Sequence, residues 1–286
     1  MDPLARPTAT PGRLLRWLVE LADATPGLVE AWGPWPRALS TRTREQVLVA
    51  VADINGSRYA AWVHGAWRDF LGDADPDHAL EAVLDFTRES ARGGRPASTE
   101  ELSGHLPPNA VRAVRATVAV AELGTLAANS SDSLLTRFRK PSRLLRPSAL
   151  NEAIVTAAAA PFAIPALVGA TLMRSVNRIA PPLPRVEAPP THEANLVVHL
   201  LADLVPRRLA TSAARLFLLG LPVPISFGVR VEGTEATVRL SRSRVVLENG
   251  LRPDTLLVVD GGIQLLDTAS RALNRELAAL MTRRPT

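Results

Sequence analysis

Between Arg44 and His64 the chain carries residue types from which an acid–base site can be built. Glu45 lies before a Gly56-Ser57 break, and Ser57, Tyr59, Ala60 and His64 lie at or after it. At 100° per residue, positions 57, 60 and 64 fall on about one face of a helix. Glu45, on the preceding helix, can reach His64 across the packing. A carboxylate against an imidazole can move a proton without a metal or cofactor. The competing reading is a buried, hydrogen-bonded pair kept for packing. Ser57, His64 and Asp53 do not make a hydrolase triad, because no Gly-x-Ser-x-Gly elbow leads into this helix. The remaining histidines, His78, His105, His192 and His199, lack metal-ligand spacing, so no metal is expected. Tyr59, Trp62 and Trp67 are candidates for an apolar ligand pocket beside His64, although such residues also serve as ordinary core.

The whole chain has no cysteine. Disulfides, thiolate metal sites and thiol catalysis are therefore excluded. That absence matters because of a resemblance. The run Arg44-Glu45-Gln46-Val47, followed by Asn55 to His64, resembles the active-site signature of the alkylhydroperoxidase D / carboxymuconolactone decarboxylase family. In redox-active members of that family Cys-x-x-Cys lies between the glutamate and the histidine. Ser57 and Ala60 stand here at the two cysteine positions, with Glu45 and His64 in the same register. The resemblance implies that Glu45 and His64 are the proton relay of a thiol centre that has gone. Peroxide reduction needs a thiolate and a second thiol to resolve the sulfenic acid. A serine hydroxyl cannot enter that cycle and alanine has no heteroatom, so thiol peroxidase activity is expected to be absent. The family's decarboxylase branch does acid–base work without the cysteine pair, which keeps an enzymatic reading open.

Around the site the pattern is helical. Pro11 to Trp32 places Leu14, Leu15, Leu18, Leu21 and Ala22 at helical spacing, and Thr43 to Asn55 does the same with Val47, Val49, Ala50 and Ile54. The helix holding His64 ends near Gly72, and another runs from His78 to Ala91. Ser98 and Glu101 have capping-box spacing, which predicts a short helix. Asn109 is placed to cap a long Val/Ala-rich helix through about Ala128. This order of elements extends the resemblance over residues 11 to 130. Members of the family often end that long helix with Phe-Asn-x-x-Asn-Arg; here Leu123 to Asn129 lacks the full pattern, a second departure.

Composition is that of a globular protein: 47% hydrophobic, 21% charged, with a formal net charge of +5. The base is nearly all arginine, Lys140 being the one lysine, and no nucleic-acid motif is present. The N-terminus has no basic-then-apolar signal pattern, so a cytoplasmic location is expected. Arg137, Arg139, Lys140, Arg143 and Arg146 form a basic cluster that reads either as a peripheral membrane contact or as a solvated face. After it, Ala153 to Met173 is apolar except for Thr156 and Thr171, and contains Pro161 and Pro165. It is long enough to span a bilayer. Its alanine content and prolines read as a buried or broken helix, with membrane contact as the competing reading.

The proline-rich run from Ala180 to Pro190 reads as an extended spacer between two domains. Beyond it, Asn195 to Gly220 reads as one helix, or two broken at Pro206. Then the period becomes two: Val229 and Val231, Ala236, Val238 and Leu240, and Val245 and Leu247 alternate with polar neighbours, and Thr255 to Val259 is a fourth run. A terminal helix with Ile263, Leu266, Leu273, Leu277 and Leu280 on one face completes the pattern. The order is similar to that of sterol-carrier-protein-like domains, which implies an apolar tunnel between sheet and helix; the competing reading is a filled α+β core.

The expected fold is therefore an all-α, alkylhydroperoxidase D-like domain over residues 11–180 and a small α+β domain with an antiparallel sheet over residues 191–286. The expected function is that of a degenerate, cofactor-free member of the family that binds an apolar ligand or partner and self-associates as a homo-oligomer. The enzymatic alternative is proton transfer or decarboxylation by Glu45 and His64.

Overall fold

The computed structural model describes residues 6–33, 38–72, 78–139 and 147–261. The chain divides into two compact units, Met1–Arg178 and Ile179–Thr286.

The first unit is helical throughout its described residues. The region from Pro11 onward forms two helices rather than one, α1 (Pro11–Asp23) and α2 (Thr25–Trp32), hinged at Ala24. Then come α3 (Thr41–Ile54), α4 (Arg58–Leu71), α5 (His78–Gly93), α6 (Glu100–His105), α7 (Pro108–Phe138) and α8 (Pro147–Ile179). The helix α7 is the axis of the unit, and α1, α2, α3, α4 and α5 all pack on it. Its small residues make this feasible: Ala110, Ala113, Ala116 and Ala119 are buried, so neighbours can approach its backbone closely. The closest approach is at Gly27 of α2, where a Cβ would collide with the backbone carbonyl of Arg112. Trp17, Val47, Val83, Leu102, Val114, Val118 and Leu126 fill the space around it in one core cluster.

Local caps differ from the sequence expectation in two places. The Ser98–Glu101 box does not form: Thr99 is the N-cap of α6, and Ser98 Oγ accepts from the Glu100 backbone instead. The start of α7 is set by Pro107 and Pro108 rather than by Asn109, because proline at the first position has φ already fixed and no donor to lose. That helix also continues about ten residues past Ala128.

The 33-residue α8 corrects a larger expectation. It is neither broken nor buried: it runs through Pro161 and Pro165, and only 6% of its most apolar window is enclosed. Each proline removes the donor that would serve the carbonyl four residues earlier. The carbonyls so released belong to Ala157 and Pro161, both at exposed positions, which is why the helix tolerates them.

In the second unit the sheet is mixed, not antiparallel as its alternation suggests. Its order is β1-β4-β3-β2-β5, for β1 (Arg185–Glu187), β2 (Ile225–Val231), β3 (Thr234–Leu240), β4 (Arg244–Asn249) and β5 (Leu257–Gly261). The central strands β2, β3 and β4 pair antiparallel, while the edge strands β1 and β5 pair parallel to β4 and β2. Alternation reports which face a residue takes, not the direction of its neighbour. The proline-rich run is extended, but its centre is used as the edge strand β1. The β2–β3 turn is Glu232-Gly233, both at positive φ, the geometry a tight hairpin requires.

Two helices, α9 (Leu196–Leu209) and α10 (Ser212–Gly220), lie between β1 and β2, and the break falls at Ala210-Thr211, not at Pro206. The inward residues of the strands behave as the alternation predicts. Val229, Val231, Val238, Leu240, Val245 and Leu247 are buried in one cluster with Val197, Val198 and Leu201 of α9. The expected terminal helix, with Leu266 and Leu273, lies outside the described residues.

Candidate functional site

The α3–α4 hairpin builds the site. Ser40 caps α3 by accepting from Thr43 N, and Gly56, at φ 62, allows the tight reversal that starts α4 at Arg58. Packing of α3 against α4 then brings Glu45 to His64: the Nδ1–Oε2 distance is 3.0 Å. Glu45 is buried, with its side chain 7% exposed, whereas the His64 side chain is 29% exposed. The other carboxylate oxygen of Glu45 takes Arg44 Nη2 at 3.2 Å. Arg44 is itself pinned to α2, donating to the Ala31 carbonyl and lying 5.2 Å from the Trp32 ring centroid. A carboxylate only accepts, so Nδ1–H is the donor in this contact with Glu45. The pair has the geometry of an oriented base.

Ala60, one turn before His64, is buried and has no heteroatom. Ser57, the N-cap of α4, is 1% exposed, and its hydroxyl has no hydrogen-bond partner. It makes no side-chain cap bond either. A buried hydroxyl left without a partner costs about 1–3 kcal/mol, so this position carries a polar group the fold does not use. Asp53 is exposed, and Ser57, His64 and Asp53 do not assemble.

The aromatic candidates Tyr59, Trp62 and Trp67 form the seat of α8. Tyr59 donates to the Ala163 carbonyl at 2.6 Å, and burial raises the pKa of its hydroxyl. Arg174 lies 4.7 Å from the Trp62 ring centroid and donates to the Trp62 carbonyl. Asn177 donates to the Ala66 carbonyl, and Trp67 lies beside Gly169 of α8. Tyr59, Trp62, Val63 and Ala66 cluster with Ala166, Ala170 and Met173. The aromatic face of α4 is thus occupied by the chain's own helix.

A second group of functional residues was not singled out from sequence. Beneath the α3–α4 turn, Asn55 donates 2.9 Å bonds to Glu122 Oε1 and Thr125 Oγ1, and Arg13 donates to Glu122 Oε2 at 3.0 Å. Asn129 donates to the Asn55 carbonyl at 2.9 Å. Glu122 is fully buried. Its carboxyl is held above the usual carboxylate range by burial, which outweighs the bonds from Asn55 and Arg13. This network locks the turn that aims α4. The signal was present: Glu122, Thr125 and Asn129 lie at i, i+3 and i+7, a polar stripe on a Val/Ala-rich helix.

Of the basic cluster, Arg137 is structural. Buried at the end of α7, it grips Glu152 of α8 through Nε and Nη2 at 2.8 and 3.0 Å. Arg139 is exposed; Lys140, Arg143 and Arg146 lie outside the described residues. Among the described residues no three His, Asp or Glu side chains gather as a metal centre.

No family model matches the chain, and no curated protein or solved structure was found to be similar to it.

Proposed function

We propose that the chain is a degenerate helical scaffold of the alkylhydroperoxidase D-like kind that has lost its thiol centre and works by binding an apolar ligand or partner. The carrying observation is that Glu45 and His64 keep a 3.0 Å contact beside two sulfur-free, buried positions, Ser57 and Ala60. Support for a binding role comes from the aromatic side of α4, which receives α8 rather than standing open beside His64. Self-association belongs to the same reading.

Restoring the sulfurs tests it. In Ser57→Cys/Ala60→Cys the two thiols lie one turn apart at the start of α4, next to His64, where a thiolate is favoured. The double variant is expected to consume organic hydroperoxide and convert to a reducible intramolecular disulfide, while the parent protein does neither. A folded double variant whose thiols stay inert to peroxide would end the scaffold reading.

One observation favours a second reading, cofactor-free proton transfer or decarboxylation: the imidazole is oriented by Glu45 and partly open to solvent. Turnover of a β-keto acid or lactone that falls by about 10²–10⁴ in His64→Gln would support it.

A further inference from the structure

The helix α8 has two unlike faces. One is tied down: Glu152 to Arg137, Ala163 to Tyr59, Arg174 to Trp62 and Asn177 to Ala66. The opposite face is open and apolar. Leu150 is 67% exposed, Ile154 59%, Ile164 65%, Val168 62% and Leu172 57%, and Phe162, 79% exposed, stands on the flank of this face. At 100° per residue Leu150, Ile154, Pro161, Val168 and Leu172 fall within ~40° of one another, so this is a continuous stripe. A stripe of this extent on one helix needs a cover.

Charge decides what covers it. From residue 138 to residue 179 the only acidic residue is Glu152, which is buried and already paired with Arg137. The basic residues stand at the two ends: Arg139 and Arg178, both exposed, bracket the helix, and Lys140, Arg143 and Arg146 lie in the sequence between Arg139 and its start. A second copy of the helix laid on this stripe, parallel or antiparallel, would set basic end against basic end with no free carboxylate on the helix itself to answer. An anionic lipid surface answers both ends at once. The depth is also fixed. The tied face holds α8 to its own unit, and the carbonyls of Ala157 and Pro161, released by the prolines on the open side, need hydrogen-bond donors. Water and headgroups supply these at the interface, whereas the hydrocarbon centre does not.

We propose that the open face of α8 is a membrane-contact surface that lies flat in the headgroup–acyl boundary of an anionic leaflet. This narrows the apolar partner of the preceding reading to lipid, and rests on that reading only for the idea of a non-catalytic binder.

The experiment is co-sedimentation of the full chain with phosphatidylcholine vesicles, with and without roughly one third phosphatidylglycerol. Each basic residue near an anionic surface contributes about 1 kcal/mol. Arg139→Gln/Arg178→Gln is therefore expected to lower partition onto anionic vesicles about thirtyfold, with little effect on neutral ones. Phe162→Asp/Val168→Asp, at exposed positions, should abolish binding to both while leaving the melting temperature unchanged. Equal partition of parent and Phe162→Asp/Val168→Asp, or none by either, overturns the proposal. Sedimentation velocity separates the two readings. A dimer lost in Phe162→Asp/Val168→Asp, without vesicle binding, makes this face an interface between copies; the lipid inference then fails and the partner-binding reading stands. A monomer that binds no vesicle removes the lipid inference and the self-association part of the reading together.

Discussion

Glu45 and Glu122 are both buried, and their environments set them different tasks. Glu45 meets a guanidinium and an imidazole across a helix pair, with water nearby at His64. Glu122 is enclosed on all sides, with Asn55 and Arg13 as donors. Burial wins there, so its folded pKa stands above the ordinary 4.5. The native state consequently holds more protons than the unfolded chain between those two values. By linkage the stability contributed by this group is greatest at low pH, falls as pH rises from about 4.5, and levels off above the raised folded value. Glu122→Gln keeps the shape of the site but cannot titrate. In urea unfolding at a series of pH values, the stability of the parent minus that of the variant is expected to decline across that window. A difference that grows with pH would mean that Arg13, not burial, governs Glu122. Of the site itself, the pairing of Glu45 with His64 was legible because types and spacing carry it. The role of Glu122 was only half legible: its polar stripe with Thr125 and Asn129 shows in the sequence, but such a stripe reads as a solvated face until Asn55 and Arg13 arrive from distant parts of the chain.

At the scale of elements, periodicity located nearly every helix and strand, because an apolar stripe or an alternation is a direct record of burial. What it could not supply was partnership. Ala153 to Met173 is apolar on all sides, and the sequence could not tell whether both faces are covered; the structure covers one, through Tyr59, Trp62 and Ala66. Likewise β1 and β5 carry too few residues to announce their parallel pairing. Helix α7 shows the reverse case, where a residue with no side chain does the specifying. Gly27 lets α2 approach so closely that any Cβ would meet the Arg112 backbone. Backbone cannot yield as a flexible side chain can, so Gly27→Ala must push α2 away from α7. Overpacking of this kind costs about 1–3 kcal/mol. Since Arg112 also pairs with Glu30 of α2, the shift should weaken that ion pair too. The expected result is a loss of about that size in denaturant unfolding. Gly104→Ala in α6, where a Cβ meets nothing within 4 Å, is the control: it should lose no stability and gain up to about 1 kcal/mol from alanine's better helix propensity.

At the scale of the whole molecule, the main core cluster of each unit, among the described residues, shares no residue with the other. One is gathered round α7 by Trp17, Val47, Val114 and Leu126; the other lies between α9 and the sheet. The compact units part between Arg178 and Ile179, just ahead of the proline-rich run. Separate cores imply separate cooperative units, for which a single unfolding free energy is not defined. Leu247, 1% exposed in the second core, and Val118, 1% exposed in the first, are probes of the two. Truncating a buried leucine to alanine costs about 2–5 kcal/mol, whereas valine to alanine removes less apolar volume and should cost less. Calorimetry of the full chain is expected to resolve a transition lowered by Leu247→Ala and another lowered by Val118→Ala, each leaving the other in place. If both variants move one common transition equally, the two cores melt as one, and the independence argued from their composition is wrong.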